Sequence, residues 1–66
     1  MEILYIVYGK HRSMKQFRPM DMKEMSFVIN KIHSSTFTQS EYSALQKDVE
    51  YMNDKNPHYK FEIRKS

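Results

Sequence analysis

The strongest constraint on the fold is an unbroken apolar run, Ile3 to Tyr8, near the start of a chain of only 66 residues. The run is rich in β-branched and aromatic residues, so residues 1–8 are predicted to form a strand covered on both faces. Near the other end, Tyr59, Phe61 and Ile63 alternate with charged residues and predict a strand with one apolar face. Where this last strand joins the sheet stays open. Pairing beside the first strand would make the first strand central, which suits its two apolar faces.

A helix before the last strand is predicted from its start, its apolar stripe and its end. Thr38 and Glu41 form a T-x-x-E capping box, in which each side chain accepts a hydrogen bond from the backbone amide of the other residue. Pro57 pushes Asn56 out of helical geometry and thereby ends the helix. The apolar positions between these signals recur at helical spacing: Tyr42, Leu45, Val49 and Met52.

The segment between residues 21 and 35 supports two interpretations. Asp21 and Glu24 are spaced like a capping box and precede apolar residues at helical spacing, which predicts a helix. The run from Phe27 to Ile32 is instead dense in β-forming residues and predicts a strand that follows a turn over residues 20–25. We favour the strand.

The remaining elements complete a small α+β fold. Gly9, the only glycine, ends the first apolar run and permits a bend or bulge. Phe17 among polar neighbours predicts a short strand, and Pro19, which has no amide donor, belongs at its edge or end. The expected order is β-β-β-α-β, with one helix packed on one face of a small antiparallel sheet. A chain of this length makes a single domain, residues 1–66.

The composition argues against catalysis and metal binding. Without cysteine the chain can form neither disulfides nor thiolate zinc sites, and a single glycine excludes a Gly-rich phosphate loop. His11, His33 and His58 form no H-x-x-x-H or H-x-x-E pair that a helix could focus on one ion. His33 adjoins Ser34, but adjacent side chains usually point apart, so a nucleophile–base pair is not expected. We therefore expect no catalytic residue, no metal and no cofactor.

The net charge of +3 is unevenly distributed along the chain, which concerns partners rather than fold. The basic arm consists of Lys10, His11, Arg12, Lys15 and Arg18. The acidic helix face, on the outside of the predicted helix, consists of Glu41, Asp48, Glu50 and Asp54. The basic arm is the candidate for contact with an anionic partner, either nucleic acid or an acidic protein surface, and the alternative is a solvated hairpin. The acidic helix face is the weaker candidate for partner binding.

Size and hydropathy bound the location and the assembly. The run Ile3 to Tyr8 is far shorter than the roughly 20 apolar residues that cross a bilayer, and it has no basic leader. We therefore expect a cytoplasmic protein. A domain this small buries only about 60% of the surface that its unfolded chain exposes. Association is one way to gain stability, and a homodimer would cover the second face of the first strand.

The chain combines an early strand and basic turn with Lys15-Gln16-Phe17-Arg18-Pro19-Met20-Asp21, a capped helix, and Asn56-Pro57 leading to Phe61-Glu62-Ile63-Arg64. This layout resembles small uncharacterised proteins encoded by bacteriophages and mobile elements of low-GC bacteria. The resemblance implies a protein without an active site that binds and blocks a host protein, including defence nucleases such as CRISPR effectors. Inhibitors that mimic DNA are usually strongly acidic, so the basic charge of this chain argues against simple mimicry.

The sequence therefore predicts a small non-enzymatic protein-binding module that inhibits or redirects a host or defence complex. The alternative is a nucleic-acid-binding protein that uses the basic arm. Binding of that kind weakens steeply with salt, because contacts to phosphates release counterions.

Overall fold

A computed structural model describes residues 3–66 and shows the order β-β-β-β-α-β. The strands are β1 Leu4–His11, β2 Arg18–Asp21, β3 Ser26–Phe27, β4 Thr36–Thr38 and β5 Tyr59–Lys65; the helix is α1 Tyr42–Lys55, and 3₁₀ turns lie at Lys31–His33 and Gln39–Glu41. The predicted α+β class, with one helix on one face of an antiparallel sheet, is confirmed. Met1 and Glu2, at the start of the first predicted strand, lie outside the described residues.

Strand β1 is the centre of the sheet. One edge pairs with β5 from Tyr5 to His11 in continuous register. The other edge is shared, because residues 4–6 pair with β4 and residues 8–9 pair with β2. Strand β3 extends the sheet beyond β2. The last strand therefore joins beside the first, as the two apolar faces of β1 favour.

The core lies between the sheet and α1. Val7 and Met20 from the sheet meet Leu45, Val49 and Met52 from the helix, and each of the five is at most 8% exposed. Full burial of such a side chain is worth about 1.5–3 kcal/mol, so these residues carry much of the stability of a small domain. The predicted apolar stripe of the helix is confirmed. Within residues 3–66, no helix combines the length and apolar character needed to cross a membrane.

The helix is fixed at both ends by local hydrogen bonds. At the start, the capping box is present, and the Glu41 carboxylate accepts from the Thr38 amide and hydroxyl at 2.9 Å each. The backbone bond, followed by the hydroxyl bond, lowers the pKa of the Glu41 carboxyl. At the end, the backbone and side-chain N–H groups of Asn56 donate to the Met52 carbonyl at 3.0 and 2.8 Å. The predicted end of the helix is confirmed.

The expected role of Gly9 is wrong. Strand β1 continues through Gly9 to His11, and the glycine does not have a positive φ. A Cβ at this position would lie 2.8 Å from the Met20 sulfur and 2.8 Å from a ring carbon of Phe61. The glycine is therefore needed for close packing between strands and not for a bend.

The segment after β2 is neither the favoured strand nor the alternative helix. Pairing with β2 covers only Ser26 and Phe27. The Val28 amide still donates to the Pro19 carbonyl at 2.9 Å, and the chain then enters the 3₁₀ turn, where the Asn30 side chain accepts from the Ile32 amide at 3.1 Å. The four-residue β2, with Pro19 second, offers too short a partner for a strand that reaches Ile32. Strand β4 follows this turn and was not predicted.

Candidate functional site

The structure divides the basic arm between the two faces of the sheet. Lys10 lies on the open face, which is the face opposite α1, and its Nζ is 5.5 Å from the centre of the Phe17 ring. Side chains alternate along a strand, so His11 points to the helix side. Arg18 also lies on the helix side, because it pairs with Gly9. Neighbours in sequence therefore do not share a surface.

Two members of the basic arm, Arg12 and Lys15, lie in the connection between β1 and β2. The Arg12 amide donates to the His58 carbonyl at 2.8 Å, which fixes the backbone of the turn, while the Arg12 side chain is exposed. Lys15 and Arg18 line a groove of about 330 Å³ together with Met14. Lys15 and Arg18 of the arm are thus brought into one groove.

A different group of cations and aromatic rings assembles on the open face. This aromatic–basic cluster consists of Tyr8, Lys10, Phe17, Lys60 and Arg64. Lys60 is the register partner of Lys10, and Arg64 lies diagonal to Tyr8. The guanidinium carbon of Arg64 is 4.6 Å from the centre of the Tyr8 ring and 5.1 Å from that of Phe17. These are cation–π distances, so rings and charges hold one another in place.

Glu62 fixes the orientation of Arg64. The Arg64 Nε donates to Glu62 Oε2 at 3.0 Å, and a terminal nitrogen donates to Oε1 at 3.3 Å. This side-chain hydrogen bonding raises the pKa of the Arg64 guanidinium above its ordinary value. The cluster has three cations, Lys10, Lys60 and Arg64, against this single carboxylate, so its net charge stays positive. Lys60 and Arg64 were predicted to share a face of the last strand, but not to join a functional site.

The open face also covers Ile6 without help from a second chain. Ile6 points away from the helix and is only 1% exposed. In register, Arg64 lies on one side of it and Thr36 on the other. Burial of Ile6 therefore gives no reason for a dimer. The homodimer stays a prediction.

The acidic helix face is divided as well. The Glu41 carboxylate is occupied by the helix cap. Glu41 and Asp48 line a groove of about 350 Å³ beside Phe37, whereas Glu50 lines a separate groove beside Ile63. Asp54 lies in the last turn of α1, on its exposed surface. The four acids do not form one continuous patch.

Sequence reasoning missed an exposed apolar segment, residues 25–32. Ile29 is 92% exposed, Ile32 is 72% exposed and Met25 is 55% exposed. Met25 has a φ of 52°, which is uncommon for a residue other than glycine. Met25 and Phe27 also line a largely apolar groove of about 470 Å³; the other lining residues are Met20, Ser26, Asn56, Tyr59 and Phe61. The β-forming residues that predicted a strand here were the feature of the sequence that could have indicated an exposed apolar segment.

The histidines do not assemble a metal site. The rings of His11 and His58 come within 6.4 Å of each other, while His33 lines a groove with Ser34 at the 3₁₀ turn. The Ser34 hydroxyl donates to the Lys31 carbonyl. Within residues 3–66, no three histidine, cysteine or acidic side chains are placed to hold one ion.

Comparisons with known proteins give no relative from which a function could be transferred. No family model, no curated protein and no solved structure matches this chain. The function must therefore be argued from the surfaces themselves.

Proposed function

We propose that the protein is a non-enzymatic protein-binding module whose main contact is the apolar segment, residues 25–32. The observation that carries this proposal is the exposure of Ile29, at 92%, whereas the core aliphatic side chains Ile6, Val7, Leu45 and Val49 are at most 6% exposed. Exposed apolar patches of this kind are typical of protein interaction sites. Ile29 and Ile32 contribute little to folding, because most of their surface remains in water.

A partner that buries the exposed isoleucines would gain a substantial binding free energy. Burial of an isoleucine side chain is worth about 1.5–3 kcal/mol, so Ile29 and Ile32 together can supply several kcal/mol on docking. Interfaces are dominated by a few such side chains surrounded by weaker contacts. The two exposed isoleucines can therefore serve as apolar anchors of an interface.

The neighbouring groove adds shape to this surface. It follows Met25 and Phe27 and reaches Tyr59, which is 37% exposed. A strained backbone at a surface residue with an exposed side chain is often found at binding sites. The groove can accept an apolar side chain of the partner, while the isoleucines enter the partner's surface.

The identity of the partner rests on a different kind of argument. The chain layout resembles small phage and mobile-element proteins, and this resemblance alone supports a host or defence complex, such as a CRISPR-type nuclease, as the target. In the proposal, binding inhibits or redirects that complex. The modest basic charge favours contact through shape and apolar burial over mimicry of DNA.

The test compares two exposed apolar surfaces. The tagged protein, the double variant Ile29→Ser/Ile32→Ser and the control Tyr51→Ser are used to capture partners from host lysate. Tyr51 is 64% exposed on α1 and is a matched exposed apolar residue outside the segment. We expect the same partner with the unmodified protein and the control, and at least tenfold less with the double variant. Equal capture by the double variant, or recovery of no protein partner at all, would contradict the proposal.

The basic arm is less favoured as a nucleic-acid site than the sequence suggests. Lys10 and Arg18 lie on opposite faces of the sheet, so a single strand cannot contact both along one surface. Any nucleic-acid contact is better placed on the open face.

A further inference from the structure

We propose that the aromatic–basic cluster on the open face binds single-stranded nucleic acid. The cluster supplies the two elements that such sites combine, namely aromatic rings for stacking and cations for the phosphate backbone. Tyr8 and Phe17 provide the rings, and Lys10, Lys60 and Arg64 provide the cations. This site lies on the sheet face opposite α1 and does not include the apolar segment.

The cluster is built from β1, β5 and Phe17, the residue that precedes β2, and its own contacts order it. Arg64 approaches both rings, at 4.6 and 5.1 Å, and is held by the carboxylate of Glu62 at 3.0 Å. The planar guanidinium in this position can stack on a base, while Lys10 and Lys60 supply the charges for the phosphates. Lys10 and Lys60 are directly opposite each other on adjacent strands, so two ammonium groups can contact the backbone of the same strand.

The chemistry of the cluster selects among anionic partners. Acidic peptides and anionic lipid surfaces are attracted by the same cations, but they do not need rings interleaved with the charges. Double-stranded nucleic acid hides its base faces, and its groove readers are helices or protruding ribbons. A sheet face with two rings beside three cations matches unpaired bases on a phosphate backbone.

The experiment measures fluorescence anisotropy of a labelled 12-nucleotide thymidine strand at a series of salt concentrations. For single strands the slope of log K against log salt is about −0.7 per phosphate neutralised, so Lys10 and Lys60 predict a slope near −1.4, since the charge of Arg64 is already paired with Glu62. Lys60→Gln should reduce the slope by about 0.7, because one phosphate contact is lost. The matched control is Lys65→Gln, since Lys65 lies on the same strand and on the opposite face.

The stacking contribution is tested separately. Phe17→Leu should weaken binding of the thymidine strand about tenfold, equivalent to about 1.4 kcal/mol. An abasic strand of the same length should bind the unmodified protein at least tenfold less tightly than the thymidine strand. Arg64→Gln is a further variant, but its side chain lies beside Ile6, so thermal melting of every variant accompanies the titrations.

Four results would overturn the proposal. They are equal binding of the abasic strand, equal binding of a duplex of the same sequence, equally effective competition by a glutamate peptide or phosphatidylserine vesicles, and equal losses for Lys65→Gln and Lys60→Gln. Loss of protein capture by the Ile29/Ile32 double variant, with its oligonucleotide binding unchanged, would show that the two surfaces are independent.

Discussion

Two segments of this chain are rich in β-forming residues but differ in how far they are buried. The run Ile3 to Tyr8 supplies most of the central strand β1, in which Ile6 and Val7 are at most 1% exposed. The run Phe27 to Ile32 contributes one residue to a two-residue strand and leaves Ile29 92% exposed. Composition alone therefore did not decide which segment becomes the core.

The difference between the two segments lies in their neighbours. Strand β1 pairs with β5 along one edge and with β2 and β4 along the other, and it is covered by α1 on one face and by Arg64 on the other. Strand β3 pairs only with the end of β2. A β-forming sequence becomes a long strand where it finds partners of matching length, since strand propensity depends strongly on context. Where partners are lacking, residues of the same type stay exposed, as Ile29 and Ile32 do.

The most direct way to break this comparison is to truncate the same residue type in both segments. Ile6→Ala should lower the free energy of unfolding by about 2–5 kcal/mol, because it leaves a cavity between Arg64 and Thr36. Ile29→Ala should change it by no more than about 0.5 kcal/mol, because Ile29 is exposed. Urea denaturation monitored by circular dichroism measures both. Similar losses for the two variants would show that residues 27–32 are part of the core.

The close packing of β1 is tested at Gly9. Gly9→Ala should destabilise the protein by about 1–3 kcal/mol, because the new Cβ would overlap Met20 and Phe61. Combination with Met20→Ala removes one of the two overlaps and should reduce the additional cost of the alanine at position 9. If Gly9→Ala costs the same in both backgrounds, contact with Met20 is not the cause.

The third prediction concerns the outer edge of β5, which supports β1. The Asn53 side chain donates to the Phe61 carbonyl at 3.0 Å and accepts from the Phe61 amide at 2.8 Å, so helix and strand are joined by two hydrogen bonds. Asn53→Ala should cost about 1–2 kcal/mol. The control Asp54→Ala, at the neighbouring exposed position, should stay within about 0.5 kcal/mol. Equal losses of stability for the two variants in thermal melts would contradict a stabilising role of the two hydrogen bonds between Asn53 and Phe61.

The parts of the fold that follow from local signals were predictable. The capping box, the apolar stripe and Pro57 defined the helix, and the alternation after Tyr59 defined the last strand. The three-residue β4 has no such signal, because its pairing depends on residues 4–6, which lie 30 to 34 positions away in sequence. The end of β3 was not predictable either, because it depends on pairing with β2 and therefore on the length of β2.

In the candidate sites, too, contacts between residues that are distant in sequence could not be predicted from local patterns. The basic arm was a correct list of charges, but strand alternation placed Lys10 and Arg18 on opposite faces. Arg64 was predicted to share a face with Lys60, yet its contact with Tyr8 follows from the register between β1 and β5. Register joins distant residues, and a single sequence carries little information about it.

The smallest expected effect concerns the cap of the helix that covers β1. The hydrogen bonds from Thr38 lower the pKa of the Glu41 carboxyl, so the ionised form binds better in the folded protein. This contribution is fully present above the ordinary value of 4.5 and is lost as the pH falls through the lowered pKa. Glu41→Gln should therefore be less stable than the unmodified protein at neutral pH, and the difference should shrink in acid.

Urea denaturation between neutral and acidic pH measures this difference, with Glu50→Gln as the control on the exposed surface of the same helix. A difference of the same size and pH dependence in Glu50→Gln would show that general charge, and not the cap, is responsible. A pH-dependent loss of stability in Glu41→Gln but not in Glu50→Gln would also sharpen the comparison between residues 3–8 and residues 27–32. Loosening of α1 in acid should then weaken the cover of Val7, which packs against the helix, while Ile29 is already exposed and loses nothing.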